Sequence, residues 1–447
     1  MKVSWKPWFG VFMACSIGAC AASRSPRADR QTHWVEVCAT DAGCASPPCL
    51  ACGCAWARAC TRDADCRGQF DGPGICRRRA PDDNGCRGAS EARFCMPACA
   101  EAGDCEGTTG LETFEPPPTI QCDELREPSG LEGIDLIAVG PIGDFDATAS
   151  AVTWATDRSI VQGEPDGSNA TIVTQLKVAA GALAMDGPDI VWAEANDTTA
   201  TLRSVTSSDR TPLELGRYAL TEDWAVSLAL SSEHVIWLAD GTLLRSPRTP
   251  GSPEAIPTGP GWLLPHALTV SPSHIYYLQM HDEAESTQLL SAHRVPLSGH
   301  APEEPLARGI VTGLAASDND VFMAFASGAL DGSESDRPAR IERMPIDETR
   351  RIVMAVMRAE PLAISTNGDN LYWLGVTPND PFASVTTLWE MPSDGRQSPT
   401  PQVAVRGMLS TKIVAPMGGQ HVYVLGTCYA DDAQETVDQY LVRIGSR

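Results

Sequence analysis

From residue 133 onward, short apolar runs alternate with turn-forming polar clusters, and the runs return with a period. An aliphatic–aromatic core appears as Val152-Thr153-Trp154, Ile190-Val191-Trp192, Val235-Ile236-Trp237, Ile275-Tyr276-Tyr277, Val321-Phe322-Met323, Leu371-Tyr372-Trp373 and Val422-Tyr423-Val424. The third residues of these triplets lie 38, 45, 40, 46, 50 and 51 positions apart. Turn residues precede the cores, as in Asp186-Gly187-Pro188-Asp189 and Asn367-Gly368-Asp369-Asn370. β-Branched and aromatic residues bounded by Gly, Asp, Asn and Pro predict strands. No segment carries the 3.6-residue apolar stripe of an amphipathic helix.

Two further elements accompany the cores. Upstream of most turns sits a second apolar pair, with Leu183, Leu228, Leu268, Leu314 and Leu362 as its leading residues. Downstream comes a segment with a charged residue and a proline: Leu244-Arg245-Ser246-Pro247, Arg294-Val295-Pro296-Leu297, Arg343-Met344-Pro345 and Trp389-Glu390-Met391-Pro392. Three or four strands per ~45 residues, returning seven times, is the pattern of a β-propeller. The repeat resembles propellers of the kelch, TolB-like and quinoprotein-like range, without a Trp-Asp signature or a kelch double glycine. The expected fold is all-β, a propeller over 133–447 with seven blades, or six as the alternative count. In such a ring the recurring aromatic is core packing between blades.

Cysteine divides the chain. Fifteen of its sixteen cysteines lie in the first 122 residues, and Cys428 stands apart. Cys38, Cys44, Cys49, Cys52, Cys54, Cys60, Cys66, Cys76, Cys86, Cys95, Cys99 and Cys105 crowd a segment, 38–106, too poor in apolar residues to build a core. Cross-links would have to replace that core, at about 2–4 kcal/mol per disulfide. The stretch from Cys60 to Cys105 resembles small extracellular modules of the EGF-like and Dickkopf N-terminal type. Metal chelation by Cys49, Cys52 and Cys54 is the rival reading; export argues against it, and no metal or other cofactor is assigned.

Export follows from residues 1–19. Lys2 and Lys6 precede an apolar stretch from Trp8 to Ile17, too short to span a bilayer. Ile17-Gly18-Ala19-Cys20 resembles a bacterial lipobox, which implies lipid attachment at Cys20; an ordinary secretory signal cleaved after Ala19 or Ala22 is the alternative. Ala21, where Asp is not found, favours the outer membrane. A tether (20–37) would then lead into the cysteine-rich module, and a linker containing Pro116-Pro117-Pro118 (107–132) into the propeller.

Ring closure brings the two parts together. The apolar run Ile134–Val139 precedes the first repeat and is placed to complete the last blade. Once Cys15 and Cys20 are assigned to signal and lipid, thirteen cysteines of the N-terminal part and Cys428 make an even set. A Cys122–Cys428 disulfide across the closure is expected, with Cys105 as the next candidate partner.

Charge and motifs narrow the function. The net charge is −23, and from Asp123 onward 43 acidic residues face 21 basic ones, which disfavours nucleic acid. Membrane contact would be through the lipid anchor alone. Metalloprotease, P-loop, nucleophile-elbow and calcium-loop motifs are missing. His266, His274, His281, His293 and His300 fall close together, and Asp282-Glu283 and Asp331 to Asp336 are acidic, but loop solvation and turn formation account for them. Two readings remain. One is a lipid-anchored envelope protein whose propeller binds a protein or glycan without catalysis. The other is an exported lyase- or glycosidase-type enzyme with carboxylates in the channel, against which the apolar leading residues of the predicted inner strands weigh.

Overall fold

The computed structural model describes residues 34–38, 54–58, 74–78, 93–97, 112–113, 119–126 and 133–445, other than 207, 222–225, 265–266, 282–288, 300–302, 328–337, 358, 377–384 and 430–435. Seven antiparallel sheets follow one another along the chain and make a seven-bladed β-propeller. Blade 1 runs through Ile142–Ala147, Val152–Thr156, Ser159–Gly163 and Thr171–Gln175, and blade 2 through Ala180–Asp186, Asp189–Asn196, Thr199–Thr206 and Leu213–Ala219. Blade 3 comprises Ser227–Leu230, His234–Ala239, Thr242–Pro247 and Glu254–Ala255. Blade 4 has a first strand split into Trp262–Leu263 and Thr269–Val270, followed by His274–His281, Leu289–Pro296 and Glu304–Gly309. Blade 5 holds Val311–Ala316, Asp320–Phe325, Ala339–Pro345 and Ile352–Met357; blade 6 holds Glu360–Thr366, Asn370–Val376, Val385–Pro392 and Thr400–Arg406.

Blade 7 is assembled from both ends of the described chain. Met408–Val414, His421–Tyr429 and Thr436–Gly445 are its first three strands, and Ile134–Val139 is the fourth, with Ala138 opposite Leu441 and Ile134 opposite Ile444. The segment between 107 and 132 is more than a linker. Thr119–Gln121 lies parallel to the outer strand of blade 6, Ile120 opposite Val405, and leads into a 3-10 turn, Cys122–Arg126. Trp34–Cys38 similarly adds in parallel to the outer strand of blade 5, with Cys54–Arg58 and Glu112–Thr113 beyond it.

First strands of successive blades touch one another and surround the ring axis. In blades 1, 2, 5, 6 and 7 each carries a β-bulge at the same place, opposite the end of the second strand. In blade 1 the extra residue is Gly143, and a Cβ there would sit 2.7 Å from the Ala180 carbonyl oxygen of blade 2. That close approach demands glycine.

One register further on, the first strand faces the recurring large residue of the second. Phe145 opposes Trp154, Leu183 opposes Trp192, Leu228 opposes Trp237, Leu314 opposes Met323, and Ile364 opposes Trp373. Trp192, Trp237, Tyr277, Met323 and Trp373 are all buried, and they pack in clusters that cross from blade to blade. Trp237 also donates its indole N–H to Ser246 Oγ at 3.0 Å, so its one polar atom is satisfied in the dark. Trp237→Ala is expected to lower the unfolding free energy by about 3–5 kcal/mol, and Ser246→Ala by about 1 kcal/mol. Denaturant titration of the full chain measures both; equal effects would contradict a packing role for the ring.

Candidate functional site

Inner strands are apolar in blades 2, 3 and 5, as their leading leucines predict. Those of blades 1 and 7 depart from that expectation. Blade 1 reads Ile142-Gly143-Asp144-Phe145-Asp146-Ala147, and its alternate residues put two carboxylates on one side of the strand. Blade 7 places Lys412 at the position equivalent to Asp144, immediately after the bulge. Lys412 Nζ lies 2.7 Å from Asp144 Oδ1 and 5.4 Å from the centre of the Phe145 ring.

Each carboxylate also reaches forward to blade 2. Asp144 Oδ2 accepts the Leu183 N–H at 2.7 Å, and Asp146 Oδ2 accepts the Met185 N–H at 2.7 Å. The second Asp146 oxygen accepts the N–H of Ala147 at 2.9 Å. Ser365 makes the same forward contact from blade 6 to blade 7, its Oγ accepting the Ala415 N–H at 3.0 Å. These side chains satisfy the edge N–H groups that a first strand turns toward the axis. Chemically the cluster is a row of latches across blades 7, 1 and 2.

Burial raises the Asp146 carboxyl from 3.8 to about 6, against the pull of Lys412 and of the Met185 and Ala147 N–H groups. The residue keeps part of its surface open, but its carboxyl is enclosed. A carboxyl of this kind changes charge near neutrality and can hold or release a proton. No group of three or more His, Cys, Asp or Glu among the described residues could hold a metal ion.

A second arrangement has the geometry of a hydrolytic triad. In blade 4, Ser291 Oγ lies 2.5 Å from His293 Nε2, and His293 Nδ1 is paired with Glu303. Ser291 is 1% exposed, Tyr277 stacks on the imidazole at 5.7 Å, and Gln279 donates to the Gly259 carbonyl at 2.7 Å behind it. A nucleophile sealed in this way meets no substrate. Buried polar networks occupy related places in other blades, as with Trp192 Nε1 to Glu194 at 2.9 Å, and Glu342 between Arg340 and Arg351 at 2.6 and 3.0 Å. The blade 4 trio belongs with these, as internal wiring of a sheet.

The sequence-derived candidates are placed as follows. Cys122 and Cys428 are set as a disulfide pair, Cα atoms 5.8 Å apart and both residues buried. Cys38 is the register partner of Cys54 across one hairpin, and Cys76 of Cys95 across another. Cys20, Cys44, Cys49, Cys52, Cys60, Cys66, Cys86, Cys99 and Cys105 lie outside the described residues, as do His266, His300, Asp282, Glu283 and Asp331 to Asp336. Among the described residues, the candidate histidines form no metal-holding group. His293 is inside blade 4, whereas His274 begins its second strand, where burial and Arg294 hold its imidazole below the usual value.

No protein-family model matches the chain, and no curated protein is similar to it in sequence. Solved structures align with the chain at low identity and with TM-scores below 0.5. The tricorn protease aligns at 10% identity over 67% of this chain and 34% of its own, with a TM-score of 0.49. One chain from the structures of two prolyl endopeptidases aligns at 13% identity over 68% of this chain and 48% of its own, with a TM-score of 0.46. The propeller domain of the Trilobed protease from Pyrococcus furiosus aligns at 10% identity over 69% of this chain and 97% of its own, with a TM-score of 0.48. The chain thus spans about a third of tricorn and about half of the endopeptidase chain.

The Asp146 environment has a testable sign. Its carboxyl is raised on folding, so its contribution to stability is present below pH 4 and is lost as pH rises through about 6. Asp146→Asn keeps an acceptor for Met185. The variant should gain melting temperature over the wild type between pH 4 and 7 and show little difference below pH 4. Thermal denaturation across that range checks it, and a gap that does not grow with pH would contradict the assignment.

Proposed function

We propose that the chain is a lipid-anchored cell-envelope protein, held through Cys20 at the outer membrane, whose propeller is a non-catalytic binding scaffold for a protein or glycan. The observation that carries this reading is the distribution of loop length. Between second and third strands, two residues separate Thr156 from Ser159, Asn196 from Thr199, and Ala239 from Thr242. The corresponding connections of blades 4 to 7 run over seven, thirteen, eight and six residues, at 282–288, 326–338, 377–384 and 430–435. Lengthening on four consecutive blades, always at the same corner of the repeat, is how a propeller is fitted with a recognition surface. These connections carry ten carboxylates and a single basic residue, Arg337, a composition suited to cationic side chains or glycan hydroxyls.

The inner wall supports the same reading. Asp144 has both oxygens engaged, by Lys412 and by the Leu183 N–H, and Asp146 binds two backbone N–H groups. An exported enzyme with a channel-facing site is the second reading, and Asp146, titrating near 6 beside Lys412, is what favours it. The two are separated in one experiment on the full, membrane-attached chain. A photo-crosslinking residue placed at Asp282, Asp336 or Asp380 should give a discrete adduct with an envelope protein or glycan. The same residue at Asp157, Asp197 or Asp240, in the short turns, should give none. Equal labelling at both sets, or turnover of a glycan panel that Asp146→Asn abolishes, would contradict the scaffold reading.

A further inference from the structure

Blades 3, 4 and 5 grip their successors by one device. Arg245, Arg294 and Arg343 occupy the same register place on the third strand, opposite Ile236, Tyr276 and Phe322. Each sends Nη1 sideways to a carbonyl just after the proline of the next blade: Leu297 at 2.9 Å, Ile346 at 2.8 Å and Ser393 at 3.3 Å. An acidic residue of the same blade anchors each guanidinium: Glu254 at 2.5 Å, Glu304 at 2.8 Å and Asp320 at 2.9 Å.

Blade 6 breaks the series. Its residue at that place is Glu390, opposite Tyr372. A carboxylate cannot donate to a carbonyl. Glu390 turns back into its own blade and accepts from Tyr372 Oη at 2.9 Å and Asn370 Nδ2 at 2.8 Å. Described polar contacts between blades 6 and 7 lie elsewhere: Ala415 N–H to Ser365 Oγ at 3.0 Å, Asn367 Nδ2 to the Gly419 carbonyl at 3.0 Å, and Thr386 Oγ1 to the Met408 carbonyl at 2.6 Å. The interior of this seam is apolar and incompletely filled. A small cavity remains there; its lining includes Leu388, Val405, Met408 and Val442 from the two blades, with Leu125 and Ile134 from the N-terminal side.

Those two residues belong to a strap that crosses the seam. Thr119–Gln121 is hydrogen-bonded to the outer strand of blade 6, and Ile134–Val139 to the third strand of blade 7. Between them the turn Cys122–Arg126 buries Cys122 and Leu125, and Leu125 is 1% exposed in the cluster that joins the two blades. Cys428, at the end of the second strand of blade 7, ties the turn down.

We propose that residues 119–126 and Ile134–Val139 form a clasp on the seam between blades 6 and 7, which opens when the clasp is unfastened at Cys122–Cys428 or loses its Leu125 plug. The arginine-gripped junctions stay shut without it. Hydrogen–deuterium exchange on the full chain tests this with Cys122→Ser/Cys428→Ser and, separately, Leu125→Ala. Exchange is expected to rise about tenfold or more in 119–126, 134–139, 400–414 and 436–445, while blades 3 to 5 stay at the wild-type rate. Leu125→Ala touches no cysteine and decides the matter if the double variant fails to fold. Unchanged exchange in those peptides, or an equal rise through blades 3 to 5, would overturn the proposal.

Discussion

Every blade of this protein is apolar on both faces, and a face left without a neighbour would expose a layer of Trp, Tyr, Leu and Ile to water. Closure of the ring is therefore the constraint on which the rest depends. The aromatic at the centre of each second strand fills the wedge between blades, and the polar side chains around it hold the blades in register. Forward contacts supply the directionality that apolar packing lacks: Asp144 and Asp146 onto blade 2, Arg245, Arg294 and Arg343 onto blades 4, 5 and 6, Tyr423 Oη onto the Pro165 carbonyl of blade 1 at 2.9 Å. A charge-assisted hydrogen bond contributes about 1.5–3 kcal/mol, modest beside the burial of a tryptophan but specific to one partner.

The same constraint explains the N-terminal side of the ring. A propeller whose last blade borrows a strand is only as closed as that strand's pairing. Here the borrowed strand is preceded by a turn that buries Leu125 and Cys122 under blades 6 and 7, and by three residues that pair one blade further back. The overlap spreads the closure over two blades. Loop-closure entropy gives the covalent tie leverage, because the loop between Cys122 and Cys428 has a sequence separation of 306.

Much of this was legible in the amino-acid pattern, because it is local. Seven strand cores, their turns, the leading leucines of the inner strands and the completing strand Ile134–Val139 all follow from period and residue type. The charged-residue-and-proline segment was visible too, although the reason for its arginine was not. Arg294 is explained by a carbonyl 52 residues away, and Asp144 by a lysine 268 residues away, distances at which sequence pattern carries no information. His293 stood out only as one of several nearby histidines, and its grouping with Ser291 and Glu303 escaped notice because a strand and a turn must fold before they meet. Pro116-Pro117-Pro118 suggested a linker and concealed the three-residue strand that begins at Thr119. In blade 1, Gly143, Asp144 and Asp146 broke the apolar rhythm that marked the other inner strands, and that departure was the available signal.

Under the proposed scaffold reading, recognition falls to the parts of the repeat that closure does not need. Second-to-third strand connections can lengthen without disturbing either face of a blade, and they do so only in blades 4 to 7. The acidic wall residues, by contrast, are spent on holding the ring. Non-reducing proteolysis of the oxidised full chain followed by peptide mass mapping tests the central claim of a fastened ring most directly. A linked species containing Cys122 and Cys428 is the predicted result; Cys428 as a free thiol, or bonded to Cys105, would contradict it.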